Sequence, residues 1–307
     1  MKPRSVGLLN LLVVYFVWGS TFLAIRLAVQ GEGAIRPFSL AVLRVGIAGI
    51  TLLLWSVLRG YNLKIENGVL VRLAISGVLF WVGGHALLLW VAQWADSGFS
   101  ALIFASIPLW IVLIEGARSP ASLTRNSLLP VISGFIGILV LSIPQISSSP
   151  NDSQNAVGIL GTLVLLGSSL CWSIGTTLHD KSIEKIPISV SAGYQQVFAA
   201  IVCTLCAALA GEFNAPPPVS KQALWALSYL TLIGSVLAFS SYAVALKLLP
   251  KNLVASFAYV NPIIAVALGY WFLGEQITMW TLCGMTLVIL SVIWLFHNNS
   301  KQGAGNV

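Results

Sequence analysis

Two side chains able to hold a charge or pass a proton stand deep inside long apolar runs of this chain: Arg44, and His85 beside Gly83-Gly84. A guanidinium offers paired donors to a carboxylate or a phosphate, and an imidazole can relay a proton or bond a solute. Each also has a structural reading. Arg44 can bond helix-end carbonyls and brace a bundle, and His85 can be a packing residue, since no carboxylate accompanies it. Trp18, Trp172, Tyr194, Phe257 and Tyr259 can present flat apolar faces. Ser20, Thr21, Ser173, Thr176, Gln195 and Asn261 lie on the same segments and can supply polar contacts, although small hydroxyl residues often serve helix packing alone. Pro108 and Pro262 each remove a helix hydrogen bond and are expected to act as gating hinges, against the plainer reading of a static kink.

The absences narrow the chemistry. All nine acids, Glu32, Glu66, Asp96, Glu115, Asp152, Asp180, Glu184, Glu212 and Glu275, fall between the apolar runs or at their ends. An acidic relay for cations or protons would place a carboxylate near mid-run. Neutral, zwitterionic or anionic small molecules are therefore favoured over cationic ones, although aromatic faces can also hold a cation. Cys203 and Cys206 share a helical face without His or carboxylate neighbours, so no metal site is expected, and no cofactor. With one histidine and no carboxylate inside the runs, a membrane-embedded enzyme lacks its nucleophile and base. No G-x-x-x-x-G-K-[ST] segment is present to drive a pump with ATP.

The elements that position these residues must lie in lipid. The 307 residues are 57% hydrophobic and 8% charged, with a mean hydropathy of +0.91, outside the range of ordinary soluble domains. A bilayer core of about 30 Å takes roughly 20 apolar residues per helix. Apolar runs predict spans over 7–29, 37–58, 69–93, 98–115 and 126–143, then over 156–178, 187–210, 222–246, 252–273 and 277–297. Arg44 would then sit roughly 10 Å below one surface, and Arg26, near the end of the first span, is expected to snorkel to the interface. The first span is read as uncleaved. Trp55, Trp90, Trp94, Trp225, Trp271, Trp280 and Trp294 read as interfacial belts.

With the N-terminus in the cytoplasm, Lys2, Arg4, Arg59, Lys64, Arg72, Arg118, Arg125, Lys181, Lys185, Lys247, Lys251 and Lys301 all fall on the inner side. Outer loops receive only Arg36 and Lys221. This asymmetry predicts both termini inside. It also explains the net charge of +7 without nucleic acid as a partner.

The chain is written twice. Trp18 and Trp172 stand 154 residues apart, as do Pro108 and Pro262. Five spans per copy send the second copy through the membrane from the opposite side, an inverted repeat. The expected organisation is a first five-helix repeat over 1–144, a linker over 145–155, a second repeat over 156–299 and a tail over 300–307.

Trp18-Gly19-Ser20-Thr21, Pro37 with Arg44, and Ala101 to Pro108 in the first copy carry a resemblance. Trp172 with Ser173 and Gly175, Ala255 to Pro262, and Gly274-Glu275 carry it in the second. On these residues the chain resembles the drug/metabolite transporter superfamily, specifically ten-helix exporters with two EamA repeats. The resemblance implies a basket around a central cavity, built from spans one to four and six to nine, with five and ten peripheral. It also implies a bacterial inner-membrane setting. The expectation is an all-α, ten-helix secondary transporter, not an enzyme, moving a small metabolite such as an amino acid by alternating access. Nucleotide-sugar or sugar-phosphate carriage, through Arg44, and multidrug export are the alternatives. Its partners would be the substrate, membrane lipid and a candidate coupling proton, in a monomer or weak homo-oligomer.

Overall fold

The computed structural model describes residues 3–119, 125–147, 153–178, 181–214, 218–249, 251–254 and 256–304. Among them there is no strand. The helices are α1 Pro3–Val29, α2 Pro37–Leu58, α3 Asn67–Val91, α4 Ser97–Arg118 and α5 Arg125–Ser147 in the first half. The second half holds α6 Ser153–Thr177, α7 Ile188–Leu209, α8 over 221–248, α9 Phe257–Leu273 and α10 Met279–Ala304. In lipid a backbone must satisfy its own donors and acceptors, and a helix does so within one segment. Seven helices are long and apolar enough to cross a membrane, and three shorter apolar stretches, Leu128–Pro144, Phe257–Leu273 and Met279–Leu295, lie on α5, α9 and α10. Residues 148–152 of the expected linker and 305–307 of the tail lie outside the described residues.

Local signals set the helix ends. Pro37 occupies the first turn of α2, where its missing N–H costs nothing. Ser220 caps α8 by accepting from the Ala223 N–H at 3.1 Å. Gly274, at φ +66°, closes α9 in the left-handed region, which glycine enters without a Cβ clash.

The most extensive pairings join one half to the other: α5 with α10, α2 with α7, α1 with α8 and α9, and α3 with α6. Small residues permit the close approach. A Cβ on Gly284 would stand 2.8 Å from the Leu141 Cβ and 2.9 Å from the Gly137 carbonyl oxygen, and one on Gly193 would meet Leu53 at 2.7 Å.

Two features were not anticipated. Helices α3 and α8 each contain nine residues of π-helix, Val78–Ala86 and Tyr229–Leu237, at equivalent places 151 residues apart. The helix breaks also fall at serines rather than at the expected prolines. Helix α4 divides into Ser97–Phe104 and Ile107–Arg118 around Ser106, and Ser256 separates the single turn Lys251–Val254 from α9. Pro108 stands in the first turn after its break, where the helix needs no N–H, and Pro262 lies within the uninterrupted α9.

The tryptophans divide. Trp55, Trp225, Trp271, Trp280 and Trp294 are exposed, whereas Trp90 and Trp94 pack edge to face at 4.8 Å against the core, so these two do not form a belt.

Candidate functional site

A cavity of about 410 Å³ runs down the bundle. Its walls come from both halves: α1, α2, α3 and α4 from the first, α6, α8 and α9 from the second, with Leu295 the sole contribution of the α5–α10 pair among the described residues. At one end Ile25, Leu88 and Ala101 are buried, and at the other Glu115 and Thr176 are exposed. The cavity is closed where α1 ends and open where α4 and α6 end.

Arg44 projects from α2 into the wall and is 4% exposed. Its Nε donates to Ser235 Oγ at 3.0 Å, and its Nη1 meets the His85 Nε2. The guanidinium carbon stands 5.8 Å from the Trp81 ring centroid, within cation–π range. Ser235 and His85 belong to the two π-helical segments, so Arg44 is clamped between equivalent pieces of opposite repeats. A guanidinium only donates, so His85 accepts at Nε2 and, as a neutral ring, carries its proton on Nδ1, a tautomer assigned from this geometry. Among the described residues no carboxylate lies within ion-pair distance of Arg44, since the ion pairs found there are those of Arg26. A positive charge at the wall without a negative partner is costly in a membrane, by about 2.5 kcal/mol or more.

Aromatic rings line two further faces. Trp18 lies 5.1 Å from both Tyr242 and Phe257, which are 5.7 Å from each other. Trp172 lies 4.9 Å from Phe80 and 6.1 Å from Trp81. Each tryptophan approaches a π-helical segment of the other repeat. Trp18 of α1 donates its Nε1–H to the Gly234 carbonyl at 3.3 Å, and a Cβ on Gly84 would come 3.0 Å from the Trp172 ring. Glycine at 84 admits the Trp172 indole, whereas glycine at 234 leaves room for Thr21 and Arg44, which a Cβ would meet at 3.2 and 3.4 Å.

Of the residues expected to form the site, Trp18, Thr21, Arg44, His85, Trp172, Thr176, Phe257, Asn261, Pro108 and Pro262 line the cavity. Among the described residues the Asn261 Oδ1 has no hydrogen-bond partner. The others lie elsewhere. Ser20 contacts the Tyr229 hydroxyl at 2.7 Å, and Ser173 donates to Ser169 O at 2.7 Å within α6. Tyr194 donates to Leu63 O at 2.9 Å beside Val69, Leu73 and Ile183. Gln195 donates to Ser76 Oγ at 2.9 Å between α7 and α3, and Tyr259 packs against Leu109 and Val292. Trp81, Phe239, Tyr242 and Glu115 belong to the wall and were missed, as was Ser235, which holds Arg44 from behind the wall. Gly234-Ser235, matching Gly83-Gly84 at the 151-residue offset, was the available signal. No group of His, Cys, Asp or Glu among the described residues is arranged to hold a metal.

Arg26, expected to reach for the interface, finds acidic partners at its span end. Its Nη1 lies 2.7 Å from Asp96 Oδ1 and 3.4 Å from Glu275 Oε1 at the closed end of the cavity.

The sequence profile of the EamA-like transporter family matches residues 5–143 and again 159–297, once for each half. The chain is 30% identical over 285 residues to the uncharacterized inner membrane transporter YedA of Escherichia coli K12, covering 92% of this chain and 88% of that one. It is 21% identical to the uncharacterized transporter YoaV of Bacillus subtilis (93% and 94% covered) and 24% identical to Protein PecM of Dickeya dadantii (93% and 92% covered). A solved crystal structure covering 96% of this chain and 97% of its own aligns with a TM-score of 0.64 at 18% identity, which shows a shared fold. Two repeats, apolar spans and an internal cavity describe a multi-pass transporter of the cell inner membrane, and the chain belongs to the EamA-like transporter family.

Proposed function

We propose that this transporter moves a small metabolite carrying a carboxylate or another acidic group together with an apolar part, an amino acid or a related compound, by alternating access. The observation that carries the reading is Arg44: a buried guanidinium at the cavity wall, held at Nε and Nη1 by neutral partners and lacking a carboxylate among the described residues. A substrate acid would complete its charge, and paired donors suit that geometry. The Trp18–Tyr242–Phe257 cluster would take the apolar part, and Asn261 would offer its amide. A volume of about 410 Å³ falls in the range of small-molecule sites.

In this reading the ten helices all span the bilayer as two inverted sets of five with both termini cytoplasmic, as the loop charges favour. The open, Glu115 end then faces the cytoplasm and the closed, Arg26 end faces outwards.

Purified protein in liposomes, screened with labelled amino acids, sugar phosphates and quaternary ammonium compounds, tests the proposal. Saturable flux of the acid-bearing compounds is expected. Flux confined to quaternary ammonium compounds would overturn the assignment of Arg44.

A further inference from the structure

The closed end of the cavity is built from a polar network that substrate binding does not use. Glu275 follows the left-handed Gly274, and its own N–H donates to the Gly269 carbonyl at 3.1 Å. Its carboxylate turns back over the start of α4. Oε1 accepts from the Ser97 N–H at 2.7 Å, and Oε2 accepts from the Gly98 N–H at 3.1 Å and the Ser97 hydroxyl at 3.0 Å. These N–H groups open α4 and have no partner within it, and a negative charge at a helix start is favoured by the helix dipole. Arg26 of α1 completes the network, donating from Nη1 to Asp96 Oδ1 at 2.7 Å and to Ala95 O at 2.6 Å, with Glu275 Oε1 at 3.4 Å. The Glu275 side chain is 7% exposed.

The fit is specific to these residues. A Cβ on Gly269 would stand 2.2 Å from Glu275 Oε2 and 2.7 Å from the Ser97 hydroxyl, so only glycine leaves room for the carboxylate. The network ties the ends of α1, α4 and α9 together, the helices that also bring Ile25, Ala101 and Asn261 to the cavity. The two repeats differ here. At the 154-residue offset Glu275 corresponds to Ala121 and Asp96 to Pro250, so the sequence places neither acid at the matching positions of the open end.

We propose that Glu275 and Arg26 are the outer gate of the transport cycle: their pairing over the start of α4 holds the cavity shut on the outer side and separates when the cavity opens outwards. The Gly274-Glu275 motif thereby gains a role in transport. The side named rests on the orientation given under Proposed function, and the gate itself does not.

The test uses the full chain with Cys171, Cys203, Cys206 and Cys283 replaced by alanine and one probe cysteine added, Leu88→Cys at the closed end or Thr176→Cys at the mouth. A membrane-impermeant maleimide is applied to either face of oriented vesicles. Leu88→Cys should resist the reagent and Thr176→Cys should react from the cytoplasmic face. Adding Glu275→Gln or Arg26→Gln removes charge-assisted hydrogen bonds, and Leu88→Cys labelling from outside should rise about tenfold while Thr176→Cys labelling falls. Asp96→Asn offers a milder break should either variant fail to fold. Labelling that rises at both probes would mean general loosening and would overturn the gate. Unchanged labelling in folded variants would overturn it as well. A rise at Leu88→Cys for reagent on the cytoplasmic face alone, with Thr176→Cys falling, would uphold the gate and reverse the orientation.

Discussion

Ser106 and Ser256 each stand at the break in their helix, 150 residues apart, four short of the offset between Pro108 and Pro262. Each donates its hydroxyl to the carbonyl three residues back, Ile103 and Leu253, and each meets a hydroxyl from the first helix of the opposite repeat. Ser106 lies 3.0 Å from Ser169 Oγ, and Ser256 contacts the Tyr15 hydroxyl. Tyr15 and Ser169 stand 154 residues apart, the offset of Trp18 and Trp172, so each break meets the matching helix of the other repeat although the serines are shifted by four residues.

If the chain bends at these serines during transport, loosening one contact changes speed more than affinity. Tyr15→Phe loses the hydroxyl contact with Ser256, worth about 1 kcal/mol, and Ser169→Ala loses the contact with Ser106 together with the acceptor of the Trp110 Nε1–H. Turnover in proteoliposomes should shift about two- to tenfold with little change in the half-saturating substrate concentration. A shift confined to half-saturation would assign these hydroxyls to binding instead.

Arg44→Gln should raise the half-saturating concentration of acid-bearing substrates about 10- to 100-fold, the range for a lost charged hydrogen bond. Ser235→Ala leaves the charge and removes the acceptor of the Arg44 Nε–H along with a bond to the Leu230 carbonyl; its effect should be several-fold smaller. Equal losses in the two variants, measured by initial uptake rates, would make Arg44 a brace between the π-helical segments.

Phe257→Ala opens one side of the aromatic cluster around Trp18. Aromatic pairs contribute about 0.5–1.5 kcal/mol beyond their buried area, so affinity for substrates with a bulky apolar part should fall about two- to tenfold. Substrates of the same charge with a small side chain should be affected less. Competition against one labelled substrate gives the comparison directly.

Gly284→Val tests the α5–α10 pair. The added Cβ would meet Leu141 and the Gly137 carbonyl, and overpacking of this kind costs about 1–3 kcal/mol. The midpoint of thermal unfolding in detergent should drop, while the order of substrate preference stays as it was, because Gly284 does not line the cavity.

The helices were legible because apolar runs broken by polar turns are long and few, and the duplication because Trp18 and Trp172 share an offset with Pro108 and Pro262. Which face of a helix turns inwards was harder to read. In lipid both faces are apolar, so nothing in the run around Tyr194 and Gln195 shows that these residues meet α3 and the 59–66 connection instead of the cavity. The helix breaks were hidden for a related reason. Pro108 stands in a first turn, where it costs no hydrogen bond, Pro262 lies inside α9, and the breaks lie beside hydroxyls that meet across more than sixty residues of sequence in one case and more than two hundred in the other. The partners of Arg26 were hidden in the same way, because Asp96 and Glu275 reach it only once α1, α4 and α9 are packed together.

The pairing of α2 with α7, α3 with α6 and α5 with α10 has a consequence for how the protein is made. When the first five helices leave the ribosome, the surfaces they will bury belong to helices not yet synthesised. The first half must wait in the bilayer with its small-residue faces against lipid, and assembly finishes only after α10 has entered. Two separately translated halves, divided within 148–152, therefore need each other in one membrane at one time, and neither half expressed alone should escape proteolysis.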